Sequence, residues 1–202
     1  KQIWQGMNIP EWYACFHCNS PKQNNNRLVD IDAYEDVFRT IFDMGGGVIT
    51  LGINHNFPTS WPIRTYHGRD RMDRLDLAII QDCAYMIGTT SGPSLVARLF
   101  KKRIYLSNVT DWATSIPWDD EDVYLLKRVK RHNRFLSLAE VLNDHKTIFA
   151  PGADYEYELI QNSRKEIQEA FIEFINPVSA SSTQLAFETS RKNAVKRLLS
   201  EG

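Results

Sequence analysis

The sequence predicts an α/β fold: a Rossmann-like, doubly wound parallel sheet with additional C-terminal helices. Three observations predict it. Short runs dominated by apolar residues, "YACFHC" (13–18), "VITLG" (48–52), "AYMIG" (84–88) and "RIYLSN" (103–108), read as strands buried on both faces. Segments of helical period lie between them. Small, polar or basic residues follow the strands, where an open parallel sheet holds its ligands.

The elements follow in order. The first strand, 13–18, is rich in aromatic and small side chains. "NSPKQNNNRLVD" (19–30) is polar with one proline and reads as a long loop. In "DIDAYEDVFRTIFDMGG" (30–46), Ile31, Tyr34, Val37, Phe38, Ile41 and Phe42 recur at helical spacing, and the glycines at 45–47 end the helix. After the strand at 48–52, "INHNFPTSW" is loop, "PIRTY" (62–66) a brief strand and "HGRDRMDR" (67–74) a charged loop. "LDLAIIQDC" (75–83) is a short helix that turns Leu75, Ile79 and Cys83 inward. The strand "AYMIG", the helix "SLVARLF" (94–100) and the strand "RIYLSN" complete β-α-β-β-α-β-α-β, which right-handed crossovers wind into a doubly wound sheet. "DWATSIPWDDEDVY" (111–124) reads as irregular, "LSLAEVL" (136–142) as helix, and 155–176 and 183–199 as two long amphipathic helices packed on the sheet or on another domain. The expected division is a Rossmann-like domain over 1–150 and a helical extension over 151–202.

Composition narrows the classes. Of 202 residues, 43% are hydrophobic and 24% charged, a globular profile. With 24 Lys+Arg against 25 Asp+Glu, no net field draws in nucleic acid or holds the chain to a membrane, so membrane contact is at most peripheral. The apolar runs fall far short of the ~20 residues that cross a bilayer. Three cysteines without a secreted-scaffold pattern suit a reducing cytoplasm. Cys15 and Cys18 form a C-x-x-C, but residues three apart on a strand face opposite sides, so buried thiols are expected rather than a redox or zinc pair. "NVT" (108–110) matches a glycosylation sequon too short to be specific. The start at Lys1, in "IWQGMNIPEW", suggests that an N-terminal part precedes this chain.

The strand ends gather His17, Asn19, Ser20 and Arg27; then Gly52, Asn54 and His55; then Ser107, Asn108 and Thr110. Between them stands "GTTSGPS" (88–94), leading into a helix. A helix N-terminus offers N–H groups and a partial positive charge, which suit a phosphate. Gly88 and Gly92 remove bulk; Thr89, Thr90, Ser91 and Ser94 add O–H donors. The plainer reading is a helix cap alone. No G-K-[ST], G-x-G-x-x-G, G-x-S-x-G or H-E-x-x-H is present. Asp70, Asp73 and Asp76 read first as helix-entry charges and second as magnesium ligands, and no metal site is expected.

"AYMIGTTSGPSLVARLFKKRIYLSN" resembles the donor-binding segment of GT-B-fold glycosyltransferases. The form I/V-G-x-x-S-G-P-x-x-x-A recurs in bacterial heptosyltransferases, and a close variant in fucosyltransferases. The chain looks most like bacterial glycosyltransferases of surface-polysaccharide clusters, over roughly 13–145. The resemblance implies the C-terminal, donor-binding half of a GT-B enzyme, with a nucleotide sugar as substrate and no cofactor. Thr89, Thr90, Ser91 and Gly92 would hold the diphosphate; the loop after Gly52, with Ile53 and Asn54, and "RMDRLD" (71–76) would lie near base and ribose. His17 falls where such families carry a strand-end His facing the interdomain cleft, and equally reads as a His satisfied by backbone. Related enzymes follow it with an Arg two residues on; Asn19 stands there, so Arg27, Arg71 or Arg74 would supply that charge, the last two reading equally as solvated helix-entry residues. Helix N–H groups and arginines would stabilise the leaving group without a metal. The base for a glycan or lipid-linked acceptor would come from the N-terminal domain. Two other readings stay open: a nucleotide-sugar 2-epimerase-like enzyme, and a non-catalytic nucleotide-sugar-binding or assembly module.

Overall fold

Six short strands carry the fold in a computed structural model that describes residues 10–18, 29–53, 55–66, 73–113, 117, 119–144, 156–177 and 182–200. They are β1 (Tyr13–His17), β2 (Gly47–Leu51), β3 (Ile63–Tyr66), β4 (Tyr85–Gly88), β5 (Arg103–Val109) and β6 (Val123–Leu126). All pair in parallel, in the order β3-β2-β1-β4-β5-β6. That is the Rossmann order, so the predicted fold class stands.

Alternation along β1 divides the core. Ala14 and Phe16 face one layer with Val48 of β2; Cys15 faces the other with Ile49 and Leu51. On the first face a 3-10 turn (Ile31–Tyr34) runs into α1 (Glu35–Asp43), whose Val37, Phe38 and Ile41 are buried against the sheet. Gly45, at φ +79, takes the left-handed position that ends this helix, and Gly47 opens β2. On the second face lie α2 (Asp73–Asp82), through Ile79 and Ile80, and α3 (Gly92–Leu99), through Ala97. Each large apolar side chain buried this way contributes about 1.5–3 kcal/mol. Cys15 and Cys18 fall in different layers, and Cys15, Cys18 and Cys83 are all buried and free.

The irregular reading of 111–124 misses the start of β6, whose residues are only half-buried. Beyond β6 the chain forms a small antiparallel sheet: β7 (Arg128–Arg131), β8 (Arg134–Phe135) and β9 (Tyr157–Ile160), in the order β8-β7-β9. The single helix expected over 155–176 is therefore corrected. Residues 157–160 are strand, and α5 begins only at Arg164, running to Ile175. It lies on the α1 face, with Ile167, Phe171 and Phe174 in the core and Gln168 Nε2 donating to Thr40 Oγ1 at 2.9 Å. A short helix α4 (Leu138–Asn143) packs against α6 (Ser182–Ser200), where Leu142, Ala194 and Leu198 share a cluster with Ala113. Among the described residues no helix is long and apolar enough to cross a membrane.

Candidate functional site

Chain order creates the site. From β1 the chain moves outward through β2 to β3; from β4 it moves the other way through β5 to β6. The connections that leave β1 and β4 therefore diverge, and such a switch point opens a crevice at the strands' carboxyl ends. His17 ends β1 and Gly88 ends β4, in register with each other. The "GTTSGP" turn leaves from Gly88, so the sequence motif and the topological crevice coincide.

Gly88 has a different reason for its missing side chain than the one expected. Its φ is +137, and a Cβ there would stand 1.9 Å from the His17 carbonyl oxygen. The glycine lets β4 close on β1, after which Thr89 N–H donates to His17 O at 3.0 Å. Gly92 differs, since a Cβ there would meet nothing within 4 Å. Its bareness leaves open space at the first position of α3.

The turn offers hydroxyls more than amides. Thr89 N–H is engaged by His17, Ser91 N–H donates to Ser94 Oγ at 3.1 Å, and Pro93 has none. Ser94 faces inward, 2% exposed, and its hydroxyl donates to Ser91 O at 2.7 Å. Ser91 forms a capping box with Ser94, its side chain accepting from the Ser94 backbone N–H, as the plainer cap reading expects. By contrast, Thr89 Oγ1 is buried without a hydrogen-bond partner. A buried, unsatisfied hydroxyl costs about 1–3 kcal/mol and is kept where a ligand completes it. Such a group at the N-terminus of an eight-residue helix suits an anion.

Beneath the turn lies a residue that periodicity placed only in the core. Tyr34 is wholly buried, yet its hydroxyl reaches the Gly88 carbonyl at 3.4 Å and Ser107 Oγ at 2.5 Å. Burial pushes its phenol well above the usual range, so it stays protonated. Asn108, at φ +54, and Asn162 exchange backbone-to-side-chain bonds: Asn108 N–H to Asn162 Oδ1 at 2.6 Å, and Asn162 N–H to Asn108 Oδ1 at 2.8 Å. The "NVT" asparagine is thus 4% exposed and structurally engaged.

The other expected site residues scatter. Thr90 is half-buried in the turn. Gly52 follows β2, exposed, at φ +65. Arg74 is exposed near the start of α2. Asn19, Ser20, Arg27, Asn54, Asp70 and Arg71 lie outside the described residues.

No family model matches the chain, and no curated protein matches it. Solved structures do. One is the iron-containing dodecameric glycosyltransferase TibC from enterotoxigenic E. coli H10407, 13% identical, with 82% of this chain on 44% of that one at a TM-score of 0.47. Another is dodecameric iron-containing heptosyltransferase TibC in complex with ADP-D-β-D-heptose, also 13% identical, with 94% of this chain on 45% of that one at a TM-score of 0.43. The chain spans less than half the length of these structures. They correct one expectation, that no metal or cofactor accompanies the donor: a glycosyltransferase of similar fold is described as iron-containing. A hydroxyl-lined turn tells nothing about a metal held elsewhere on a fold. Among the described residues, no group of three or more His, Cys, Asp and Glu side chains is placed to hold one.

Proposed function

We propose that this domain binds a nucleotide sugar through its diphosphate and serves as the donor-binding half of a GT-B glycosyltransferase. One observation carries the reading. The crevice of a 3-2-1-4-5-6 sheet coincides with a hydroxyl-rich turn at a helix N-terminus, where the buried Thr89 hydroxyl lacks a partner. The sequence resemblance of 84–108 supplies the ligand class.

In this reading the diphosphate sits at the mouth of α3. The Thr89 and Ser91 hydroxyls donate to phosphate oxygens, and the helix terminus stabilises the charge that grows as the sugar leaves. Because these donors are fixed before the ligand arrives, little reorganisation is needed at the reacting centre. His17, at the adjacent strand end, faces the phosphates or the sugar, and Arg27, Arg71 or Arg74 adds positive charge. Gly52 and Asn54 border the ribose and base. The acceptor is a glycan or lipid-linked sugar of surface-polysaccharide synthesis, activated by a base outside this half.

Thermal unfolding against UDP-, GDP-, CMP- and ADP-sugars tests donor binding. At a hundredfold excess over Kd a true ligand raises the unfolding temperature by about 5 °C or more. No shift with any of them at millimolar concentration rejects the reading. Transfer itself is tested with the donor that binds, by following its hydrolysis or transfer in the full-length protein.

A further inference from the structure

We propose that Tyr34 is a positioning residue for the donor site, holding the β4–α3 turn through its hydroxyl. The inference rests on the diphosphate reading above and names a residue that never touches the ligand.

The ring is fixed before its hydroxyl is considered. Tyr34 meets Phe16 of β1 edge-on, with centroids 4.9 Å apart, and stacks near Phe38 of α1 at 6.3 Å. That anchorage delivers the hydroxyl to the carboxyl ends of two strands at once: Gly88 O of β4 and Ser107 Oγ of β5. Gly88 cannot carry a side chain of its own to brace the turn. The bracing therefore comes from beneath, through its carbonyl.

The hydroxyl is also one link in a closed circuit. Asn108 Nδ2 donates to Ser107 Oγ at 3.5 Å. Asn108 and Asn162 form the reciprocal pair, and Asn162 Nδ2 donates to Leu126 O at the end of β6 at 3.0 Å. Asn162 precedes Ser163, the N-cap of α5. The next residue, Arg164, bonds Glu35 at 2.7 Å and Asp36 at 2.5 Å, one and two residues after Tyr34. The path returns to its start after crossing the ends of β4, β5 and β6. Tyr34, Ser107, Asn108 and Asn162 are each at most 5% exposed, so water does not substitute for a lost link. Supporting groups of this kind hold contact groups in productive geometry.

The test is Tyr34→Phe, which keeps the ring and removes the hydroxyl. Affinities are measured by calorimetry for UDP, GDP and ADP and for uridine, guanosine and adenosine. Amide exchange over 88–95 is followed by mass spectrometry. The expected result is about tenfold weaker binding of the diphosphate, unchanged binding of the matching nucleoside, and faster exchange in the turn. Unchanged diphosphate affinity, or an equal loss for diphosphate and nucleoside, overturns the proposal, because a general loss of structure would not distinguish the two ligands. Should Tyr34→Phe fail to fold, Ser107→Ala removes a neighbouring hydroxyl of the circuit and carries the same comparison. If the unaltered protein binds neither probe, the donor reading fails, and the exchange arm decides this one alone. Faster exchange over 88–95 in the variant supports it; unchanged exchange overturns it.

Discussion

Gly88→Ala is the sharpest perturbation this fold offers. The new Cβ would lie 1.9 Å from His17 O and 2.8 Å from His17 C, and both are backbone atoms of the central strand. Carbon contacts are comfortable only near ~3.5 Å, so β1 and β4 must part by about 1.5 Å at their carboxyl ends. Three costs then accumulate. The Thr89 N–H···His17 O bond, 3.0 Å long, is lost at about 1 kcal/mol. A side chain at φ +137 is strained by about 1–3 kcal/mol. Displaced core packing around Met86 and Ile87 adds about 1–3 kcal/mol. Stability should fall by about 3–7 kcal/mol, and the unfolding temperature by about 10 °C or more for a chain of this size. Urea unfolding followed by circular dichroism measures it. A loss under about 1 kcal/mol with an unchanged m-value would refute the argument that the two strands meet this closely. Gly92→Ala is the internal control. Its Cβ enters open space, so stability should stay within about 0.5 kcal/mol while diphosphate binding weakens.

Three further outcomes are expected. Thr89→Val deletes a buried, unpartnered hydroxyl at constant shape, so calorimetric stability should hold or rise by up to about 1 kcal/mol while nucleoside diphosphate affinity falls; a destabilised variant would mean the hydroxyl already has a structural partner. The Glu140 carboxyl is held down at about 2 by Arg134 and by Ser137, well below its unfolded value. A depressed carboxylate stabilises above its unfolded pKa and loses that contribution as pH falls through the folded one. The stability gap between the protein and Glu140→Gln should therefore be full at pH 7, shrink between about pH 4 and 2, and vanish below; a gap independent of pH would exclude the pairing. Burial pushes the Cys18 and Cys83 thiols up to about 12 and raises the Cys15 thiol well above its usual range, so a thiol reagent at pH 8 should titrate no cysteine in the native protein and three in urea; rapid native labelling would contradict the burial.

The sheet was readable where burial is two-sided. The buried stretches of β1, β2, β4 and β5 are dominated by apolar residues, interrupted by Thr50, Ser107 and Asn108, and that pattern survives without any knowledge of partners. β6, β7 and β9 were not, for a physical reason. "VYLL" is half-buried, and "RVKR" and "YELI" alternate charged or polar residues with apolar ones. The strand state of β6 depends on pairing with β5, and that of β7 and β9 on pairing with each other across about 30 residues; tertiary pairing overrides local preference. One signal went unread: Ser163-Arg-Lys-Glu166 is a capping box, which fixes the start of α5 and excludes 157–160 from it. At the site, the turn's hydroxyls could be named from sequence, but Tyr34 could not. Helical periodicity counts its ring as core and is blind to where its hydroxyl ends. Gly88 was found for the wrong reason, because the His17 carbonyl it clears belongs to a strand 71 positions earlier.

That separation has a kinetic consequence. β1 pairs with β2 across 34 positions, Tyr13 to Gly47, whereas Ala14 pairs with Tyr85 across 71. Doubling a closed loop adds only about 0.6 kcal/mol of entropy, but the longer closure must also wait for β2, β3 and α2 to be laid down between its ends. The β1–α1–β2 unit can collapse early, while the crevice exists only once β4 docks. Anion-binding competence should therefore appear with the slowest refolding phase, after most of the helical signal has returned. The site is assembled last, at the seam where the two halves of the sheet meet.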